Sequence, residues 1–255
     1  MKEILITNDD GYESEAMHAL IEVLRPLGHI TVVAPASEKS SCGHGLTITK
    51  PLKLISVGDD FYKLDDGSPA DCVYLAFHAL YGDKLPDLVV SGINRGANLG
   101  EDTTYSGTVA AAMEAVLRGA KAIAISQFYS KTADGYSCDL TLAKKCSFDI
   151  VKRVLCDGYP IGERQFLNVN VPNISVESCK GYRVTRSSSR IFKGDAQRHT
   201  NPRGEEYFWL GLHPFEFNPT DNGDYEAVID GYISITPMLC DLTAYSAIEA
   251  VKNWL

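Results

Sequence analysis

The chain has 255 residues, of which 45% are hydrophobic and 22% charged, and its formal net charge at pH 7 is −9. This length and composition are ordinary for one large α/β domain of a soluble globular protein. The negative charge argues against a nucleic-acid duplex as partner, because that affinity depends on neutralising phosphates with Lys and Arg. The negative net charge does not exclude a small anionic ligand held through a bound cation, because the cation reverses the local sign of charge.

The cysteines and the apolar segments indicate a cytoplasmic protein. The amino-terminal sequence MKEILITNDD has too short an apolar run for a signal peptide. No stretch approaches the ~20 apolar residues that a membrane span needs. The seven cysteines include no C-x-x-C pair, which is typical of reduced thiols rather than of a disulfide framework or a zinc site. We therefore predict a cytoplasmic location without membrane association.

The first predicted elements alternate between strand and helix. The residues EILIT form an apolar run that predicts a short buried strand, and His29 to Ala34 predict the next strand. Between them lies a predicted helix with four apolar residues on one face: Met17, Leu20, Ile21 and Leu24. The pieces KLISV and FYKL then flank residues 58–60, a predicted hairpin turn.

The same alternation continues through the middle of the chain. A helix is predicted over about 70–81, followed by a strand from Asp87 to Ser91. An alanine-rich helix in SGTVAAAMEAVLRGA leads to the strand KAIAIS. Strands that alternate with helices imply βαβ units and a mostly parallel sheet. Because the strands are almost continuously apolar, we predict an α/β fold whose sheet is covered by helices on both faces.

The second half of the chain is less regular. It predicts a helix over about 138–156, a strand from Phe166 to Val171, two strand-like pieces in GYRVTR and AVIDGYISIT, and a terminal amphipathic helix in TAYSAIEAVKNWL. Residues 187–224 show no periodicity, and so long a loop is unusual in a compact domain. We predict an extended hairpin or arm that packs on another subunit, with a mobile surface loop as the alternative.

A group of basic residues lies in and before this irregular region. Its partner could be another subunit or a substrate, although a solvated face is the simpler interpretation. Within the stretch from residue 183 to residue 203, the only acidic residue is Asp195. The basic residues are Arg183, Arg186, Arg190, Lys193, Arg198 and Arg203.

Two adjacent aspartates, Asp9 and Asp10, follow the first predicted strand directly. At an effective dielectric near 20, two carboxylates about 5 Å apart repel each other by roughly 3 kcal/mol. One interpretation is a turn, because Asp-Gly is typical of turns and an aspartate often caps the helix that follows. Ligands of open parallel sheets, however, gather at the carboxyl ends of strands. That position favours a hard divalent cation, for which carboxylate and neutral oxygens suit Mg²⁺ or Mn²⁺.

Two further polar loops follow later strands. The loop APASEKSSCGHGLT contains Ser40, Ser41 and His44, and we interpret His44 as a surface histidine rather than a proton donor. The loop SGINRGANLG matches no dinucleotide or phosphate-loop motif, but Asn94 and Asn98 supply neutral oxygens. The next helix begins in a donor-rich turn that could bind a phosphate, or cap the helix. The residues of that turn are Ser106, Gly107 and Thr108.

Four blocks of this sequence together resemble the stationary-phase survival protein (SurE) family. They are ITNDDGY, VVAPASEKSS with GLT, VVSGINRGANLGEDTTYSGTVAAAMEA and DGYISITPMLCDLTAYSA, in matching order over nearly the whole chain. The resemblance implies a metal-dependent 5'/3'-nucleotidase with one divalent cation, held at the positions of Asp9, Asp10, Ser40 and Asn94. The family usually has glycine after the ligand serine, so Ser41 competes with Ser40 for this role; the spacing from the Ala-Pro pair favours Ser40.

The resemblance also implies the overall organisation. We expect a Rossmann-like core over residues 1–172 and an oligomerisation portion over 173–255 within a single domain of 1–255. Family members form dimers and often tetramers whose carboxyl-terminal elements exchange between subunits, so we predict a homodimer or homotetramer.

The predicted reaction is hydrolysis of a nucleoside monophosphate by metal-activated water. Asp9 or Asp10 would also orient the water, and Asn98, Ser106, Gly107 and Thr108 would stabilise the phosphoryl oxygens. Two alternatives remain: a phosphatase with a covalent aspartyl-phosphate, whose usual D-x-D motif is absent, and a nucleotide sensor without catalysis.

Overall fold

A computed structural model of the protein describes residues 1–132, 135–191, 196–210 and 216–255, without the side chains of residues 130–137. The strands are β1 (Glu3–Thr7), β2 (His29–Pro35), β3 (Lys53–Gly58), β4 (Phe61–Asp65), β5 (Leu88–Arg95), β6 (Ala122–Gln127), β7 (Ser130–Thr132), β8 (Gly135–Ser137), β9 (Gln165–Val171), β10 (Tyr182–Val184), β11 (Ala196–Thr200), β12 (Glu206–Leu210) and β13 (Ile233–Leu239). The α-helices are α1 (Glu15–Leu24), α2 (Pro69–Ala76), α3 (Gly107–Leu117), α4 (Thr141–Asp157), α5 (Asp224–Ile229) and α6 (Ile248–Trp254). A π-helical segment, Phe77–Tyr81, extends α2.

One nine-stranded sheet organises the molecule, in the order β10-β13-β9-β6-β5-β1-β2-β4-β3. Its six inner strands, from β9 to β4, run parallel to one another. Numbered along the chain, these six strands have the 3-2-1-4-5-6 arrangement of the Rossmann fold. The order reverses between β1 and β5, and a ligand of such a sheet binds at the carboxyl ends of the strands at this point.

Helices cover both faces of the sheet, as the continuous apolar strands predict. Helices α1 and α4 pack on the face that carries Ile4 and Ile6 of β1, whereas α2 and α3 pack on the face of Leu5. These side chains alternate because successive residues of a strand point to opposite faces. The four apolar residues of the predicted helical face of α1 are all buried.

Most predicted elements of the first half are confirmed; one strand of the first half and one of the second half differ from the prediction. Strand β5 continues beyond Ser91 to Arg95, with a register shift against β6. Gly92 makes this continuation possible: its φ is +140°, and a Cβ there would lie 2.4 Å from the carbonyl oxygen of Ile125. The predicted strand AVIDGYISIT is wrong in its first part, because residues 224–229 form α5 and the strand begins at Ile233.

The predicted hairpin is present in the irregular region. Strands β11 and β12 pair antiparallel, and every residue of both is exposed. Its aromatic side chains Phe208 and Trp209 are 59% and 65% exposed. The terminal helix α6 likewise has no buried residue. In the described part of the chain, no helix combines the length and the apolar character required to cross a membrane.

Candidate functional site

Asp9 and Asp10 lie beyond the end of β1, at the switch point of the sheet. The turn that follows the strand is closed by the buried Asn8, whose Nδ2 donates to the carbonyl oxygen of Gly11 over 2.9 Å. Gly11 has a φ of +96°, and a Cβ there would approach the carbonyl carbon of Ser37 to 3.2 Å. Glycine therefore lets the first loop pack closely against the loop after β2.

The carboxylate of Asp9 is held by the start of α3. The backbone N–H of Thr108 donates to its Oδ2 over 3.0 Å, and the Thr108 hydroxyl donates to Oδ1 over 2.5 Å. Asp9 is 4% exposed. Burial raises the pKa of Asp9, while the hydrogen bonds from Thr108 and Gly107 act against that rise. The anion at this helix start is thus the protein's own carboxylate.

Asp10 is less enclosed and contacts the end of β5. Its Oδ2 accepts a hydrogen bond from the backbone N–H of Arg95 over 3.2 Å. Burial and the charge of Asp9 raise the pKa of Asp10 to about 6, and the nearby Glu38 adds to this effect. Within the described ranges, no Lys, Arg or His side chain forms an ion pair with Asp9 or Asp10. The negative charges at the switch point are therefore not neutralised by a protein cation there.

Removing the charge of Asp10 should stabilise the metal-free protein. Asp10→Asn keeps an oxygen for the Arg95 N–H but ends the repulsion with Asp9, so we expect a gain of about 2 kcal/mol and a Tm increase of a few °C. Because the folded pKa of Asp10 is about 6, the gain should be largest above that pH and shrink below it. Thermal unfolding in EDTA, with Asp83→Asn as an exposed control, measures this. An unchanged or lower Tm at pH 8 would contradict the prediction.

The loop after β2 contacts Asp9 at the residue before Ser40. The backbone N–H of Lys39 donates to the carbonyl oxygen of Asp9 over 2.7 Å, which fixes the residue next to Ser40. The Ser40 hydroxyl donates to Oε1 of Glu38 over 2.6 Å. Ser41 has a φ of +57°, a left-handed conformation that favours glycine. This explains why a chain with glycine after the ligand serine would adopt the same loop, and it favours Ser40 as the equivalent of that serine.

Asn94 directly precedes Arg95, whose backbone N–H donates to Asp10, at the end of β5. Its Nδ2 donates to the carbonyl oxygen of Gly96 over 2.8 Å, so its Oδ1 is the atom left for another ligand. Asp9, Asp10, Ser40 and Asn94 together offer carboxylate, hydroxyl and amide oxygens, the donor types preferred by Mg²⁺ and Mn²⁺.

These donors do not include a third acidic or imidazole ligand. Over the part of the chain that the structure describes, no group of three or more His, Cys, Asp or Glu side chains is arranged to hold a metal. Two adjacent carboxylates without an ion-pair partner nevertheless fit one divalent cation, because its charge would offset both of theirs.

Ser106 and Asn98 have structural hydrogen bonds in the same region. The Ser106 hydroxyl accepts from the backbone N–H of Val109 over 3.1 Å, so the capping alternative describes this serine. The backbone N–H of Asn98 donates to Oδ1 of Asn170 over 2.8 Å, and its Nδ2 donates to the Ser126 hydroxyl over 2.8 Å. These buried contacts position the loop after β5.

His44 is paired with a buried carboxylate that the sequence reasoning missed. Its Nε2 lies 2.8 Å from Oε2 of Glu114, which is 4% exposed and also accepts from Nε of Arg118 over 2.5 Å. Burial opposes ionisation, but the hydrogen bonds from His44 and Arg118 keep the pKa of Glu114 below its usual range. The sequence signal for a buried, paired carboxylate was a single acidic residue, Glu114, within the apolar run AAAMEAVL of α3.

A second missed residue, Asp224, attaches the carboxyl-terminal part of the chain to the loop after β5. This fully buried aspartate accepts hydrogen bonds from the backbone N–H groups of Gly100 over 2.8 Å and Ser188 over 3.0 Å. Arg190 forms an ion pair with Asp102 of the same loop. Nothing in the local sequence marks Asp224 for this contact.

Half of the basic group of the sequence is paired with acids among the described residues. Arg183 lies 2.9 Å from Asp230, and Arg198 pairs with Glu206. Together with the pair of Arg190 and Asp102, these contacts give three of the arginines a partner on the same chain. Lys193 and Asp195, which belong to the same prediction, lie outside the described residues.

Comparisons with known proteins agree with this architecture. The family model described as "Survival protein SurE" matches residues 4–194. Proteins named "5'-nucleotidase SurE" are similar over the full chain: that of Helicobacter hepaticus is 48% identical and 99% covered, and that of Campylobacter jejuni is 52% identical and 98% covered. The solved structure of the SurE protein from Aquifex aeolicus superimposes with a TM-score of 0.85 at 43% identity, covering 99% of each chain.

Proposed function

Because the chain belongs to the SurE family, we propose that it is a metal-dependent 5'-nucleotidase that hydrolyses nucleoside monophosphates to nucleoside and phosphate. The observation that carries this proposal is the pair Asp9 and Asp10 at the switch point of the sheet, without an ion-pair partner among the described residues. Relatives named 5'-nucleotidase, about half identical over the whole chain, support the substrate class. Nucleoside 3'-monophosphates are a second substrate class within the proposal.

One divalent cation, Mg²⁺ or Mn²⁺, would be held by Asp9, Asp10, Ser40 and Asn94. When bound, such a cation polarises a phosphoryl oxygen and lowers the pKa of a coordinated water. Thr108 supports this site by holding both oxygens of Asp9, so that the carboxylate is oriented before any ligand arrives. Residue 107 must be glycine, because the Cβ of any other residue there would lie 2.8 Å from the Cβ of Asp9.

The chain's own groups then have separate tasks in the hydrolysis. Oδ1 of Asp10 accepts no hydrogen bond from another described residue, and it is our candidate for accepting a proton from the attacking water. The Ser106 oxygen accepts from Val109, which leaves its hydroxyl proton for a phosphoryl oxygen. Asn98 would act through the loop that it holds. Both oxygens of Asp9 are engaged by Thr108, which suits a fixed ligand better than an attacking nucleophile.

Substitutions of the two serines after Lys39 should have clearly different effects on the affinity of the protein for a metal ion. Ser40→Ala removes a ligand oxygen and should raise the Kd for Mn²⁺ about 10-fold, as changes at a metal site commonly do. Ser41→Gly should leave the Kd within about 2-fold, since glycine adopts the left-handed conformation of this residue without strain. Calorimetric titration of both variants with Mn²⁺ measures the difference. The reverse ranking would assign the ligand to Ser41.

The proposed activity is tested by phosphate release from wild-type protein. The substrates are 5'- and 3'-monophosphates of adenosine, guanosine, cytidine and uridine, each assayed with EDTA, Mg²⁺ and Mn²⁺. Release that requires a metal is expected, with 5'-monophosphates among the substrates. Equal release in EDTA, or a trapped phosphoenzyme, would replace the metal mechanism by the covalent one. Nucleotide binding without release under any condition would indicate a sensor.

We also propose that subunits exchange their carboxyl-terminal elements, so that residues 173–255 form an oligomerisation portion beside a core of 1–172. The support is apolar exposure at the arm and the terminal segment, where Leu210 is 86%, Leu242 91% and Trp254 82% exposed. Unpartnered apolar surface of this kind is typical of an interface. Light scattering should give the mass of a dimer or tetramer, and a monomer at micromolar concentration would contradict the proposal.

A further inference from the structure

Arg95 is a cation whose backbone contacts one of the aspartates. It ends β5, it is exposed, and its backbone N–H donates to Oδ2 of Asp10. Its guanidinium has no hydrogen bond or ion pair with any residue in the described ranges. The backbone of Arg95 is therefore held at Asp10, while its exposed side chain stays available for a ligand.

Apart from the Ser106 hydroxyl, the other donors expected to face a substrate anion are already engaged. At the start of α3, the N–H of Thr108 binds Asp9 and the N–H of Val109 binds Ser106. Lys39 is the second cation whose backbone contacts an aspartate, but its ammonium lies 3.2 Å from a carboxylate oxygen of Asp66. Among these candidates, only Arg95 retains a full set of unused donors.

The charge balance of the site requires such a group. One divalent cation offsets the charges of Asp9 and Asp10, and Glu38, which accepts a hydrogen bond from the Ser40 hydroxyl, leaves a net negative charge beside them. A phosphate monoester brings about two more negative charges near neutral pH. A second positive group is needed to hold this dianion against the remaining repulsion, and an arginine fork matches two phosphate oxygens at once.

We propose that the guanidinium of Arg95 binds the phosphoryl group of the substrate and so determines the preference of this site for phosphate dianions. This inference rests on the proposed function, and it adds a residue that contacts substrate to the metal ligands. No bond forms to Arg95; its N–H groups donate to two non-bridging oxygens while the ester bond breaks.

Arg95→Met and Arg95→Lys test this role, with Arg153→Met on α4 as a control of equal charge change. In Arg95→Met, the KM for a nucleoside 5'-monophosphate and the inhibition constant of inorganic phosphate should each rise about 10-fold. Arg95→Lys should recover part of this loss, because it restores the charge but not the fork. The Kd for Mn²⁺ without substrate should stay within about 2-fold, a result that a general collapse of the site would not give.

The outcomes distinguish this inference from the proposed function. If Arg95→Met leaves both the KM and the phosphate inhibition constant within about 2-fold of wild type, the inference is wrong and the nucleotidase proposal stands. If wild-type protein releases no phosphate, the nucleotidase proposal fails; calorimetric binding of inorganic phosphate to the Mn²⁺-loaded protein then decides the inference. Binding that weakens in Arg95→Met would support it, and equal binding or none in wild type would overturn it.

Discussion

Asp9→Asn is expected to reduce metal-dependent phosphate release about 10³-fold. Metal-based stabilisation of transition-state charge is worth several kcal/mol, and about 4 kcal/mol corresponds to this factor. The substitution removes one of two charges that would hold the cation. It also places an amide N–H₂ against one of the two donors of Thr108, which now bind Oδ1 and Oδ2. Both effects act on the same carboxylate, so little activity should remain.

The measurement is phosphate release from a nucleoside 5'-monophosphate at saturating Mn²⁺. Asp83→Asn removes an equal charge from an exposed loop and should keep wild-type activity. Calorimetric titration with Mn²⁺ shows whether the loss follows from weaker metal binding, which should raise the Kd by at least about 10-fold. Activity within about 10-fold of wild type would exclude Asp9 from the metal site.

Gly100→Ala should have the largest effect on stability, a loss of about 3 kcal/mol. Gly100 has a φ of +52°, and a Cβ there would lie 2.2 Å from the carbonyl oxygen of Ser188 and 2.8 Å from the ring of Phe217. The left-handed conformation costs an alanine about 1 kcal/mol, and the clash adds about 2 kcal/mol because packed groups must separate. The displaced segment would also weaken the hydrogen bonds of Asp224 with Gly100 and Ser188.

Gly204→Ala is the control for this substitution. Gly204 has a φ of +84°, but nothing lies within 4 Å of its added Cβ. It should therefore lose only the backbone contribution of about 1 kcal/mol. Urea unfolding of both variants and wild type gives the two free energies of unfolding. Equal losses would mean that Ser188 and its segment move away without cost.

The core of the fold could be predicted because its signals are local. EILIT, HITVVA and KAIAIS are apolar runs of strand length, and the spacing in α1 places Met17, Leu20 and Leu24 on one face. These patterns depend only on the period of a strand or a helix. The position of Asp9 and Asp10 after the first strand followed in the same way, since the carboxyl end of a parallel strand is where ligands of such sheets bind.

The carboxyl-terminal third was predicted less well because long-range contacts override local preference there. Val228 and Ile229 are branched and apolar enough to suggest a strand, yet they belong to α5. Val228 packs with Leu99 and Phe217, and the Asp224 carboxylate at the helix start receives N–H groups from distant segments. Sequence periodicity carries no information about such partners.

By itself, the sequence determined the fold class, the family and the three loops that supply the candidate site residues, because the succession of strands and helices, the helix faces and the motif spacing are written along the chain. Only the tertiary structure decided how the polar groups are used. It bound the first turn of α3 to Asp9, paired His44 with Glu114, and left the guanidinium of Arg95 without a partner among the described residues. The physical reason is that a hydrogen bond or ion pair depends on distances between residues up to about 100 positions apart, which are fixed only when the sheet and its helices have packed.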